Sequence, residues 1–487
     1  MRFPPRRIAA VIVLAAVSGA LSCAVNPVTG KQELMLVSEA KEIEMGKATD
    51  ESIRKEYGLY QDAALSAYLN TVARRMVPYT HRRALEYHFA VLDTPVENAF
   101  AAPGGYIYVT RGLLAMMNSE AELATVVGHE LGHVNARHSV REYSKQLLLT
   151  GGLVVGSLLS RDVAKVAPFL MVGLQVLFLK FSRDDEYQAD SLGVLYSRGA
   201  GYSPAQMIPF FRSIQKLEEK AGGGMKLPNF LSTHPLTEKR IEEAEKMLEP
   251  QDAERNILRN ELLAKMDGLI YGEDPRQGYV EADAFYHPEM RFVFSIPAGW
   301  NVQNTPRQVV VASKDEKAGM ILTAEETDLS PDLYLGRRIE ALENVRIQEV
   351  SRTNRMINGL RAARGTYLVS EEAGEGQAPP VTAVDFDCIA KNGMIYTFTS
   401  MAAKADYPSF RNTFDRTVRS FANLSDPKRL AVQPKKLAVR RAATAQTLKE
   451  FLAGQGVPSD KWPTIAFLNA LALEDKVEKG RLIKIMK

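Results

Sequence analysis

Two histidines four residues apart, His129 and His133, enclose Glu130-Leu131-Gly132 and constrain this chain more than any other feature. That spacing has chemical use on a helix, where positions i and i+4 share a face and two side chains can converge on one ion. The flanking residues predict such a helix. Ser119 with Glu122 has the capping-box pattern, and Leu123, Val126, Val127, Leu131 and Val134 make an apolar stripe. Two neutral imidazoles are good zinc ligands. Glu130, turned away from direct ligation, is placed to take a proton from the attacking water and pass it to a leaving amine.

Three fixed positions recur by chance too often to carry this alone. A catalytic zinc ion needs a third protein ligand, and the run Ser182-Arg-Asp-Asp-Glu186-Tyr-Gln-Ala-Asp190 offers one on a second helix, capped by Ser182 with acids in its first turn. Glu186 is the candidate third ligand. Asp190, again four residues on, can hydrogen-bond a ligating histidine and fix its tautomer. One Zn2+ per chain is expected. Two solvated acids would be the reading if that helix stood alone.

These residues sit in a longer ordered pattern. It includes Asn26-Pro-Val-Thr-Gly, the stretch Asn98-Ala-Phe-Ala-Ala-Pro-Gly-Gly-Tyr-Ile-Tyr-Val-Thr-Arg-Gly, and Ser232-Thr-His234-Pro-Leu-Thr-Glu-Lys-Arg240. From about Asn26 to Leu248 the chain resembles the zinc metallopeptidases that include the CAAX prenyl endopeptidase, the heat-shock protease HtpX and the periplasmic BepA-type proteases. The resemblance implies a mainly helical gluzincin-type domain with a small sheet, ligands His129, His133 and Glu186, and Glu130 as base. It also implies that the histidine at the His234 position approaches the metal, to gate the site or stabilise the oxyanion. From its neighbours alone His234 is a histidine preceding Pro235 before a helix, and both readings stay open. Tyr106, Ile107, Tyr108 and Val109 are expected as the edge strand beside the cleft. Substrate would add there as an extended strand held by main-chain hydrogen bonds, with broad specificity. His138 falls off the ligand face and reads as structural, as do His81, His88 and His287.

The N-terminus points to export. Arg2, Arg6 and Arg7 precede an apolar stretch from Ile8 to Leu21, too short to span a bilayer comfortably, and small residues follow. Residues 1–22 therefore read as a signal peptide, with a retained anchor as the alternative. Cys23 stands where a lipoprotein carries its lipidated cysteine, although Ala20 rather than an aliphatic residue lies three places before it. Removing those 22 residues takes away three arginines and no acids, so the formal charge of +3 falls to zero. No basic run interleaved with aromatics stands out, so nucleic acid is not an expected partner. With Cys23 lipidated or removed, Cys388 has no disulfide partner and reads as a buried, inert thiol.

Beyond the zinc motifs, 487 residues are too many for one core. Period-3.6 patterning dominates up to about residue 265. The apolar runs Leu147–Leu159 and Val163–Phe181 read as helices packed over the site or as a surface that dips into a membrane. Residues 265–290 read as a linker. Period-two patterning then gives strands at 291–296, 308–313, 320–324, 360–369, 381–390 and 394–400, with helices near 332–343 and 408–421. The predicted class is α+β: a zinc metallopeptidase domain at 26–265, an antiparallel α+β domain at 286–423, and a small module at 435–487. The Phe294–Trp300 stretch resembles the PsbP-like fold, and the last module has the strand-helix-helix-strand order of a LysM-type unit. The function expected is an exported endopeptidase of the periplasm, lipid-anchored to the outer membrane through Cys23 if that residue is acylated. It would cut extended or misfolded envelope polypeptides. The alternatives are an envelope chaperone or scaffold, or a wall-binding protein. Peptidoglycan and envelope assembly proteins are the further candidate partners.

Overall fold

The computed structural model describes residues 23–154, 181–221, 230, 233–235, 237–342, 345–371 and 379–486. The expected signal peptide at 1–22, residues 155–180 of the two apolar runs, and Ser232 and Leu236 lie outside them. Among the described residues no helix is long and apolar enough to cross a membrane. The chain divides into two compact units, Met1–Glu273 with Lys435–Lys487, and Asp274–Pro434.

The centre of the first unit is the helix Glu120–Asn135, buried along its whole length. Ser119 caps it by accepting from the Glu122 N–H at 3.1 Å, and the Glu122 carboxylate accepts from the Asn118 N–H at 2.7 Å, one residue short of a full capping box. The helix Arg183–Gly199 packs on it, begun by a complete capping box between Ser182 and Asp185. Their backbones come close because small residues meet at the crossing. A Cβ added to Gly193 would lie 3.0 Å from the His129 backbone nitrogen and 3.2 Å from the Thr125 carbonyl oxygen, so a side chain there would have to push the two backbones apart by a few tenths of an ångström.

A three-stranded sheet covers another side of that helix, and it corrects one expectation. Its order is His88–Leu92, Tyr106–Thr110, Ala99–Ala102, so the Tyr106, Ile107, Tyr108 and Val109 run is the middle strand. It pairs parallel to the first and antiparallel to the third. The outer strands are His88–Leu92 and Ala99–Ala102. Gly104 and Gly105, at φ 73° and 96°, turn the chain back so that Ala99–Ala102 can pair. Three of the four residues in the Ala-Phe-Ala-Ala run are alanine, which strands disfavour, so Phe100 is its one strand-favouring residue.

The segment Lys435–Met486 has the expected order: strand Leu437–Arg441, helices Leu448–Gly454 and Trp462–Leu468, strand Leu482–Met486, with the two end strands antiparallel. Phe451, Ile465 and Ile483 centre a small core of its own. Its other face is not free, because Leu437, Leu468 and Leu482 join the large core of the first unit. The Leu437 N–H donates to Leu269 O at 2.8 Å and the Gly268 N–H to Leu437 O at 2.9 Å.

In the second unit a seven-stranded antiparallel sheet runs in the order 345–357, 360–371, 382–391, 394–403, 318–326, 308–312, 301–304. A four-stranded sheet is formed by Tyr279–Glu281, Ala284–His287, Phe292–Ser295 and Ala422–Asn423. Helices Pro331–Glu340 and Tyr407–Arg419 complete it. Two differences from expectation stand out. The strands Tyr279–Glu281 and Ala284–His287 occupy the stretch read as a linker, and the edge strands 301–304 and 345–357 alternate only briefly, at Val345 and Ile347. Edges are often polar on both faces, which hides them from period-two reading. Cys388 is a buried free thiol whose pKa burial pushes up to about 11.

Candidate metal centre

His129 and His133 leave one face of their helix, and Glu186 leaves the start of the helix Arg183–Gly199 opposite them. His129 Nε2 lies 3.0 Å from His133 Nε2. Glu186 carboxylate oxygens stand 3.6 Å from the first and 3.5 Å from the second. His234 joins this group, its Nδ1 3.3 Å from His129 Nε2 and 3.0 Å from Glu186 Oε1. One ligand atom from each of the four residues lies within 4.8 Å of all the others, and all four are buried.

Proton bookkeeping tests what such a cluster can hold. Asp190 Oδ1 is 2.9 Å from His129 Nδ1. An ionised carboxylate only accepts, so Nδ1 carries the hydrogen and Nε2 offers a lone pair. Arg240 keeps Asp190 ionised, donating from Nε to Oδ2 at 2.8 Å and from Nη2 to Oδ1 at 2.7 Å. Burial opposes that charge, yet Arg240 and His129 bring the Asp190 pKa down to about 2. Arg240 Nη1 also reaches Glu186 Oε2 at 2.7 Å. There too burial resists, and His234 and Arg240 hold the carboxyl below its usual range. A bare imidazole nitrogen thus faces further nitrogens and a carboxylate at close range, an arrangement that a cation relieves. Nitrogen and carboxylate donors without thiols are the donor set of catalytic zinc.

Glu130 is fully buried, and neither of its carboxylate oxygens has a hydrogen-bond partner among the described residues. Burial raises its pKa against the nearby His234 and His129. A carboxylate with raised proton affinity and no committed partner suits a general base. His234 Nε2 stands 3.7 Å from Glu130 Oε1. Burial disfavours charge on His234, but Glu186 and Glu130 on either side raise its pKa.

Two residues of this neighbourhood went unassigned from sequence. Arg240 was part of a matching pattern without a role. His138, read as off the ligand face, has its Nδ1 2.9 Å from His133 Nδ1, and burial takes its pKa down to about 4. The signal for Arg240 was present: two acids buried together demand a cation. Nothing local announced His138, because it begins a new helix, His138–Val154. His81, by contrast, hydrogen-bonds Tyr196 OH at 2.6 Å, and His88 stacks on Tyr106 with centroids 4.5 Å apart.

The open edge of the small sheet follows from its ladder. The Thr110 N–H donates to Asn98 O at 3.0 Å, which sets the phase: Phe100 and Ala102 bond inward, while the backbone groups of Ala99 and Ala101 turn outward.

Two imidazoles from one helix, a carboxylate from a second and an unpartnered glutamate beside them define a metallopeptidase-type centre. Residues 63–248 match Peptidase family M48, so the chain carries a region similar to that family of metallopeptidases. The chain is 31% identical over 212 residues to the beta-barrel assembly-enhancing protease of Yersinia pestis, covering 42% of this chain and 43% of that one. It is 33% identical over 207 residues to the mitochondrial metalloendopeptidase OMA1 of Arabidopsis thaliana, covering 41% of this chain and 40% of that one. The chain thus spans less than half the length of these relatives. Among solved structures, cyanobacterial PsbP from Synechocystis sp. PCC 6803 aligns at 15% identity with a TM-score of 0.24, covering 30% of this chain and 96% of that one, a likeness too slight to carry an argument.

Proposed function

We propose that this protein is an exported zinc-dependent endopeptidase that cuts extended or misfolded polypeptides of the bacterial envelope. His129, His133 and Glu186 hold the metal and Glu130 is the general base. The observation that carries the reading is the convergence of His129, His133 and Glu186 from two helices beside the unpartnered, buried Glu130. A zinc ion held there supplies Lewis acidity towards the scissile carbonyl and acidifies the attacking water. Glu130 takes that water's proton and returns it to the leaving amine. Asp190 fixes His129 in the Nδ1–H tautomer, which leaves the Nε2 lone pair for the metal, and Arg240 keeps the Glu186 carboxylate charged and aimed. His234, lying among the ligand atoms, takes the place of a fourth ligand and holds the centre in check until its segment moves. Substrate adds as a strand along Ala99–Ala102, where Ala101 turns its backbone groups outward and is the partly exposed residue, and main-chain recognition of that kind tolerates many sequences.

The basic start and apolar run of residues 1–22 support export to the periplasm, and Cys23 supports a lipid anchor. The kinship with beta-barrel assembly-enhancing proteases supports envelope proteins as the substrate class. A detachable wall-binding tail is disfavoured, since Leu437, Leu468 and Leu482 are core residues of the first unit.

The test compares purified wild type with Glu130→Gln. Both are expected to hold one zinc per chain, while casein digestion by the variant falls by about 10²- to 10⁴-fold, the usual reach of a general base. Casein digestion by Glu130→Gln at the wild-type rate overturns the assignment.

A further inference from the structure

His138 touches neither the reacting atoms nor the metal position, yet it lies between the two helices that carry the ligands. It is fully buried, and both ring nitrogens are engaged. Nδ1 is 2.9 Å from His133 Nδ1; Nε2 is 2.9 Å from Gln188 Oε1, with Asp185 Oδ1 at 3.7 Å. Two imidazole nitrogens at that separation with no cation between them hold one hydrogen, since two would clash and none would set lone pair against lone pair; the equally close Nε2 pair of His129 and His133 is the one that faces the metal position. The far side of the ring decides its owner. The Gln188 carbonyl and the Asp185 carboxylate only accept, so His138 Nε2 carries a hydrogen. A neutral ring then has a bare Nδ1, and the shared hydrogen belongs to His133 Nδ1.

We propose that His138 is a positioning residue, a neutral imidazole relay that fixes His133 as its Nδ1–H tautomer and so presents the His133 Nε2 lone pair to the metal, with Gln188 as its anchor. This rests on the zinc reading of the site and adds to it. Asp190 does directly for His129 what His138 does for His133. Gln188 and Asp190 follow Glu186 by two and four residues on the same helix. That helix therefore supplies one ligand and the ends of both orienting chains. Without the relay, His133 can adopt the other tautomer and point an N–H at the ion.

The experiment measures zinc affinity of the full chain by competition with a chelator, for wild type, His138→Leu, His138→Asn and Gln188→Leu. The carbonyl oxygen of Asn falls where His138 Nδ1 lies and can accept from His133. His138→Leu is expected to weaken zinc binding roughly 10- to 100-fold, the usual effect of losing such a partner, while His138→Asn stays within a few-fold of wild type. A packing role alone predicts the reverse order, because Leu fills the space and Asn does not. Gln188→Leu, at a less buried position, is expected to weaken binding several-fold and decides the matter if His138→Leu does not fold. If wild type binds zinc and the folded Leu variants match it, the relay alone falls. If wild type binds none, the metal reading falls and takes the relay with it.

Discussion

At the scale of single residues, Arg240 decides whether the second ligand helix can keep two ionised acids out of water. Its guanidinium hydrogen-bonds both oxygens of Asp190 and stands 2.7 Å from one of Glu186 as an ion pair, with about 2% of its side chain exposed. Arg240→Met leaves two buried carboxylates uncompensated, and breaking a buried pair from one side costs about 3–5 kcal/mol. Urea unfolding should show a loss of that order, and zinc affinity should fall with it. Arg240→Lys should recover little, because an ammonium cannot span two carboxylates as a planar fork does. Stability unchanged in Arg240→Met would end this account. The contrast with His129, His133, Glu186 and Asp190 is instructive. Those four were legible because each pair is local, four residues apart on one helix. Arg240 meets Asp190 across 50 residues, and His138 meets Gln188 across 50. A contact made by folding leaves no periodic trace in the chain.

At the scale of elements, the C-terminal segment behaves as a wall of the first unit. Besides its three core leucines and the backbone bonds to 268–271, it inserts Lys484, which is fully buried. The Lys484 ammonium donates to Ala115 O at 2.8 Å and Met117 O at 2.9 Å, capping the helix Arg111–Met116. Burial lowers the pKa of Lys484 and raises that of Glu122 in the first turn of the motif helix. A chain ending at Pro434 is therefore expected to lose the folded first unit, reading as insoluble protein or as a missing calorimetric transition. A soluble truncated protein with full zinc content would restore the picture of an appended module. The order of elements in this segment was readable, because its helices and strands switch period cleanly. Its docking was not, since a leucine facing its own small core and one facing a neighbour look alike in sequence. The order of the small sheet is hidden for a different reason: alanines form an outer strand, while the β-rich Tyr106–Thr110 run lies in the middle. Strand propensity marks burial on a pleated surface, which a central strand has in greater measure than an edge.

At the scale of the whole molecule, two compact units predict two unfolding transitions with separate pH dependence. In the Asp274–Pro434 unit, His287 sits between the rings of Phe285 and Phe292, with centroids 6.4 and 5.0 Å away, and its Nδ1 accepts from the Met290 N–H at 3.2 Å. Burial lowers its pKa to about 4, against about 6.5 in an unfolded chain. Between those values the unfolded state binds more protons, so this contribution is complete above about pH 6.5 and is lost as pH falls towards 4. The span sets a ceiling of about 3 kcal/mol. Asp387 opposes it: burial raises its pKa to about 6, so the folded state gains a proton first and is favoured as pH falls from about 6 towards 4. The wild-type transition therefore reports the difference between the two. His287→Gln removes the destabilising half and leaves Asp387 acting alone. Calorimetry at pH 7 and pH 5 should then show this unit's transition dropping less in the variant than in wild type, with the other transition moving equally in both. An equal drop in both proteins would mean that His287 is already solvated in the folded chain, and the pH sensitivity of this unit would have to come from its buried aspartates alone.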